Sequence, residues 1–120
     1  MHIYLATGNG LSLITMHPDE DYEINNNLYS SSKTLPSHNI MGIAIEKKDK
    51  FPGWKLPDNR IWICGGQWFG YYYEKSPKTF HLATNKLPII EKVDPIRILP
   101  DYQNGIYIGD HYELYYYDFT

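Results

Sequence analysis

The sequence is short of cysteine, of positive charge and of long apolar runs, and each shortage closes off a class of protein. Its one cysteine, Cys64, can close no internal disulfide and has no second thiol with which to build a metal cluster or a redox pair. Eleven Lys and Arg stand against fourteen Asp and Glu, for a net charge of −3. Apart from Lys47, Lys48 and Lys50 the cations are scattered, so no broad basic face suits a phosphate backbone and nucleic acid is disfavoured as a partner. No stretch approaches the roughly 20 apolar residues of a membrane span. Met1-His2-Ile3-Tyr4-Leu5 lacks the basic start and long apolar run of a secretory leader. The expectation is a cytoplasmic protein without a membrane partner, the alternative being a leader already removed. Helical periodicity is missing too, because the apolar runs are short and often broken by Gly or Pro.

What is present is aromatic. Twelve Tyr, three Trp and four Phe occur in 120 residues, and such residues favour pleated strands and interfaces. The length fits one domain, and a hydrophobic fraction of 42% with 21% charged residues is that of a folded chain.

Three segments superimpose without a gap. Ile3-Tyr4-Leu5 runs on to Leu11-Ser12-Leu13, Ile61-Trp62-Ile63 to Phe69-Gly70-Tyr71, and Ile106-Tyr107-Ile108 to Leu114-Tyr115-Tyr116. Each joins two apolar strands through a turn, namely Ala6-Thr7-Gly8-Asn9-Gly10, Cys64-Gly65-Gly66-Gln67-Trp68 and Gly109-Asp110-His111-Tyr112-Glu113, where Gly, Asn and Asp supply the positive φ of tight hairpins. Flanking strands are expected at Ile40-Met41-Gly42-Ile43-Ala44-Ile45, Thr79-Phe80-His81-Leu82-Ala83-Thr84 and Ile96-Arg97-Ile98-Leu99. The middle copy then has four strands, the first lacks its opening strand and the last its closing one.

The copies fall at about 1–30, 40–85 and 93–120. Their hairpins start at Ile3, Ile61 and Ile106, 58 and 45 residues apart, and a period near 40–50 is that of propeller blades. The insertion 46–59, with Pro52-Gly53 and Pro57-Asp58-Asn59, accounts for the longer spacing and reads as a solvated loop carrying Trp54. The stretch from Asn25-Asn26-Asn27 through Ser30-Ser31-Ser32 to Asn39 reads as a polar surface connection.

At Asp58-Asn59-Arg60-Ile61-Trp62-Ile63-Cys64-Gly65-Gly66, Tyr71-Tyr72-Tyr73 and Ser76-Pro77-Lys78-Thr79-Phe80, and again at Gln103 to Gly109 and Leu114 to Asp118, the chain resembles the propeller repeats of two-component-sensor ectodomains. That resemblance implies an all-β fold of antiparallel blades used as a binding scaffold, and it carries no particular function with it. A compact β-sandwich or open barrel is the alternative fold. Fewer than three complete copies leave unpaired edges, so a homo-oligomer that completes a ring is expected, or an open stack whose edges a partner covers.

The five histidines, His2, His17, His38, His81 and His111, share no metal-ligand spacing, so neither metal nor cofactor is expected. The aromatic runs are the strongest candidates for recognition, with Trp54, Trp68, Tyr72, Tyr112, Tyr115 and Tyr117 as binding residues. Consecutive tyrosines must point to both faces of a strand, so these rings either fill a core between sheets or stand at a rim. The functional expectation is a non-catalytic binding protein acting through an aromatic, mildly acidic surface on another protein, of the inhibitor, immunity or adaptor type. A carbohydrate-binding ring, with Trp54 and Trp68 as stacking platforms, is the alternative. A third reading is an enzyme acting on phosphoester or nucleotide bonds through His81, His111, Asp101 and Asp110. His81-Leu82-Ala83-Thr84 is similar to the His-bearing strand of two-histidine phosphoesterases, but that chemistry needs two such motifs, and only one is present, its spacing off by one residue.

Overall fold

The computed structural model describes residues 2–7, 10–19, 21–29, 39–76, 79–83 and 97–118. Among the described residues ten strands form and no helix is present, so none is long and apolar enough to cross a membrane. Strands β1 (His2–Thr7), β2 (Gly10–Met16) and β3 (Tyr22–Tyr29) make a first sheet. Strands β4 (Ile40–Glu46), β5 (Arg60–Gly65), β6 (Trp68–Tyr73) and the short β7 (His81–Leu82) make the middle one, and β8 (Arg97–Pro100), β9 (Gly105–Gly109) and β10 (Leu114–Asp118) the third. Each sheet is an antiparallel meander in chain order, and none closes into a barrel.

Alternation explains how the sheets stack. On β5, Ile61 and Ile63 point to one face, and Trp62 and Cys64 to the other. The register Ile61↔Tyr72, Trp62↔Tyr71 and Cys64↔Phe69 carries the same division onto β6. One face packs with Leu11, Tyr4 and Ala6 of the first sheet, the other with Ile98, Ile106 and Ile108 of the third. The middle sheet is therefore buried on both sides, which is why every residue of β5 is buried. The strands β1, β4 and β8, each the first in its sheet, lie against one another in sequence.

Two sequence expectations are corrected. Asn25, Asn26 and Asn27 belong to β3 rather than to a connection, because pairing with β2 outweighs the poor strand propensity of Asn; the register slips between Leu11 and Leu13 where that ladder runs. In the turn between β5 and β6 the positive φ falls on Gln67, at 62°, and not on a glycine. The remainder of the polar stretch, 30–38, lies outside the described residues, as do Gly8 and Asn9 of the first turn.

Candidate functional site

The pairing Glu46↔Arg60↔Tyr73 and the next row Ala44↔Trp62↔Tyr71↔His81 put Glu46, Arg60, Trp62, Tyr71 and His81 on one face of the middle sheet, at the end where the insertion 47–59 leaves it. Glu46 is wholly buried, and a buried carboxylate is tolerable only when its oxygens are satisfied. Its Oε1 accepts from Arg60 Nε at 2.7 Å and Trp62 Nε1 at 3.0 Å, and its Oε2 from Trp54 Nε1 at 2.9 Å. The Arg60 guanidinium, 6% exposed, lies 4.9 Å from the Trp62 ring centre and 4.8 Å from that of Tyr71. A cation set against two aromatic rings gains from both quadrupoles. Arg60 Nη2 also stands 2.7 Å from Glu46 Oε1, so one carboxylate oxygen faces the Nε–Nη2 edge of the guanidinium.

This guanidinium lines a cavity of about 460 Å³ together with Trp62, Tyr71, His81, Ala83 and Asn104. His81 stacks on Tyr71 with centroids 4.8 Å apart and planes at 17°. Asn104 comes from the loop between β8 and β9 and also lines a neighbouring depression of about 600 Å³ walled by Phe51, Trp54 and Tyr102. That loop is held hard. Tyr102 and Asn104 both adopt left-handed backbone, φ 63° and 68°, a conformation that costs a bulky residue on the order of 1 kcal/mol or more and persists only where its surroundings impose it.

The imposition comes from Asp101, whose Oδ1 accepts from the N–H groups of Gln103 and Gly105 and whose Oδ2 accepts from the Tyr116 hydroxyl. Burial works against ionisation of Asp101, but the Tyr116 hydroxyl and the two backbone donors outweigh it and hold the carboxyl below its ordinary range. The same hydrogen bond pushes Tyr116 up to about 12. The Tyr102 hydroxyl donates to the Ile45 carbonyl, tying the loop to the end of β4, and its ring meets Phe51 edge-on.

A second feature is apolar. The outer face of the first sheet carries the row Ile3↔Ile14↔Ile24 with Leu5 beside it, and that of the third carries Leu99↔Tyr107↔Tyr116 with Leu114 beside it. Leu99 and Leu114 are 61% and 70% exposed, and Ile24 is 54% exposed.

The residues expected from sequence separate into different places. Trp68 and Tyr72 are core residues against the first sheet, 3% and 1% exposed, and Trp68 meets Phe80 edge-on. Tyr115 and Tyr117 point inward and pack against the core shared with the third sheet. Tyr112 is almost fully exposed on the turn between β9 and β10. Trp54 stands at the rim of the larger depression while its indole N–H reaches in to Glu46, so it both covers the core and lines a surface. His81 and Asp101 sit near one end of the stack, but His111 and Asp110 lie past the far end of β9, roughly 17 Å away by strand rise, so the four do not converge. The binding residues expected from sequence do not include Glu46, Arg60, Tyr71 or Asn104, although Tyr71, like Tyr116 of the outward row, lies in an aromatic run singled out for recognition. The available signal was a Glu and an Arg bracketing the insertion in otherwise apolar strands. No group of three His, Cys, Asp or Glu able to hold a metal occurs among the described residues.

No protein-family model matches the chain, and no curated protein or solved structure matches it either.

Proposed function

We propose that this chain is a non-catalytic binding protein that recognises protein through the outer faces of its first and third sheets, and that their first occupant is a second copy of the chain. The observation that carries the reading is that each terminal sheet buries one face against the middle sheet and leaves the other apolar. The two free faces differ as the packed ones do. Between the middle and third sheets, Trp62 and Phe69 meet Ile98, Ile106 and Ile108. Across copies, Tyr107 and Tyr116 of one would meet Ile3, Ile14 and Ile24 of the other.

Closure follows from counting. Two copies bring six sheets, within the roughly four to eight over which propellers close, whereas one copy brings three and three copies nine. The contiguous strands β1, β4 and β8 would line the axis, in keeping with the resemblance of the repeats to propeller blades. Three strands about 4.8 Å apart with a rise of about 3.3 Å per residue give each face roughly 300 Å² in plan, and two faces per copy, with side chains standing proud, reach the scale of about 800 Å² per partner that stable interfaces bury. The ring then presents two copies of the Arg60 rim to other molecules.

The test uses exposed positions, so the fold is retained. Ile24→Asp spoils only the first face and Leu99→Asp only the third. Each variant alone is expected to be monomeric by light scattering. An equimolar mixture is expected to dimerise more readily than either variant alone but less tightly than the unaltered protein, because the intact third sheet of one variant meets the intact first sheet of the other while the second interface carries both aspartates. Variants whose mass equals that of the unaltered protein would overturn the reading.

A further inference from the structure

We propose that the cavity over Arg60 is a binding site for a small carboxylate, with Arg60 and Asn104 as the binding residues and Glu46 as the residue that positions the guanidinium. The inference does not depend on ring closure, since every group involved belongs to one chain.

Burying an ion pair adds little net stability, so the pair invites a question about what it holds in place. Glu46 takes the Nε edge of Arg60, and the rings of Trp62 and Tyr71 lie 4.9 and 4.8 Å from the guanidinium carbon. Nη2, out of reach of solvent, stands 2.7 Å from the same Glu46 oxygen, so that edge is taken, and what Arg60 offers the 460 Å³ cavity it lines is the remainder of its guanidinium. A guanidinium N–H beyond that edge can make a charge-assisted hydrogen bond to a carboxylate. Asn104 adds a side-chain amide from a loop whose shape is imposed by Asp101. The volume falls within the roughly 300–1,000 Å³ of small-molecule sites.

The lining selects the class of ligand. Arg60 is the one fixed cation among the described lining residues, and Glu46 already balances its charge. A doubly charged phosphate would therefore be under-compensated, whereas one carboxylate asks for a single extra charge-assisted contact, with the His81 imidazole at its side. A neutral sugar would need an open aromatic face, and Tyr71 is covered by His81 and flanked by Trp62 and Arg60. The carboxylate can come from a free organic acid or from the C-terminus of a peptide, and the same experiment separates the two.

Sodium benzoate is titrated into the 15N-labelled full chain, with benzamide as its uncharged counterpart and inorganic phosphate as the competing anion. The signals of choice are the indole N–H groups of Trp54 and Trp62, which donate to Glu46, and the side-chain amide of Asn104. Benzoate is expected to shift all three saturably, and benzamide and phosphate are not. A short peptide with a free C-terminus is compared with its amidated form. Tighter binding of the free peptide than of benzoate identifies a chain end as the source, and the reverse identifies a free acid; either supports a carboxylate site. Asn104→Asp, which tolerates the left-handed backbone and leaves the core untouched, is expected to weaken benzoate at least tenfold by repulsion. Arg60→Lys, which keeps the charge and loses the fork, is expected to do the same. Absence of saturable shifts with both benzoate and the free peptide, equal binding of benzamide, or unchanged affinity in Asn104→Asp would each overturn the proposal.

Discussion

Glu46 shows how much of this molecule is decided by single side chains. A carboxylate out of reach of water is tolerated because a guanidinium and two indoles donate to it, and removing one partner of such a pair costs about 3–5 kcal/mol. Trp54 and Trp62 thus act as hydrogen-bond donors as well as apolar mass. The sequence showed only a Glu and an Arg bracketing the insertion, not that they pair. Glu46 and Arg60 are 14 residues apart across an insertion, and only the antiparallel register makes them neighbours. Trp54 was singled out, but its dual position depends on the same register.

Cys64 carries a prediction at this scale. Burial raises its thiol from 9.0 to about 12, while Arg97 and the Gly42 backbone pull the other way without prevailing. A folded-state value above the unfolded one means that stability is fully present below pH 9 and is lost as pH rises toward 12, because the unfolded chain ionises first. At pH 10.5 the loss from this group is roughly 2 kcal/mol, since each pH unit beyond the unfolded value is worth about 1.4 kcal/mol. Urea unfolding at pH 7 and pH 10.5 is expected to show a lower midpoint at the higher pH, and Cys64→Ala a smaller drop. Tyr4, Tyr73 and Tyr116 are shifted in the same direction and add to the alkaline loss in both proteins.

At the scale of elements, the hairpins were readable because two signals coincide in them. Alternation marks the strands, and Gly, Asn or Asp marks the turns, so β1–β2, β5–β6 and β9–β10 fall where the sequence suggests. Strand β3 was missed in its Asn-rich part because its stability comes from its neighbour rather than from its own residues. The short β7 depends on a contact that sequence does not display. Gly70 lies so close to the Phe80 ring and the His81 carbonyl that an added Cβ has no room beside them. Gly70→Ala is therefore expected to cost about 1–3 kcal/mol and to loosen the pairings Gly70↔Leu82 and Tyr71↔His81. Hydrogen exchange reads this at Ala83, whose N–H donates to the Phe69 carbonyl; faster exchange there with β4–β5 protection kept is the expected pattern. Unchanged exchange would show that β7 is held by something other than this close approach.

For the whole molecule, three sheets in sequence leave two apolar faces that the chain cannot cover within its described residues. Composition pointed to aromatic recognition, but it could not say which rings face outward. On β9 and β10, Tyr107 and Tyr116 point out while Tyr115 and Tyr117 point in, a parity set by Ile106 and Ile108 entering the core. The candidates chosen from sequence were thus on the inward side of the same strand that carries an outward row. Burying the exposed rows against a second copy uses the same aliphatic and aromatic pairing that already joins the sheets, which makes ring closure the central claim.

The most direct measurement is the solution mass of the unaltered protein by light scattering after gel filtration, across a dilution series into the low micromolar range. Ring closure predicts a discrete species of twice the 14.1 kDa chain that dissociates only on dilution, with no trimer or open polymer. A protein that stays at 14.1 kDa at every concentration would contradict it.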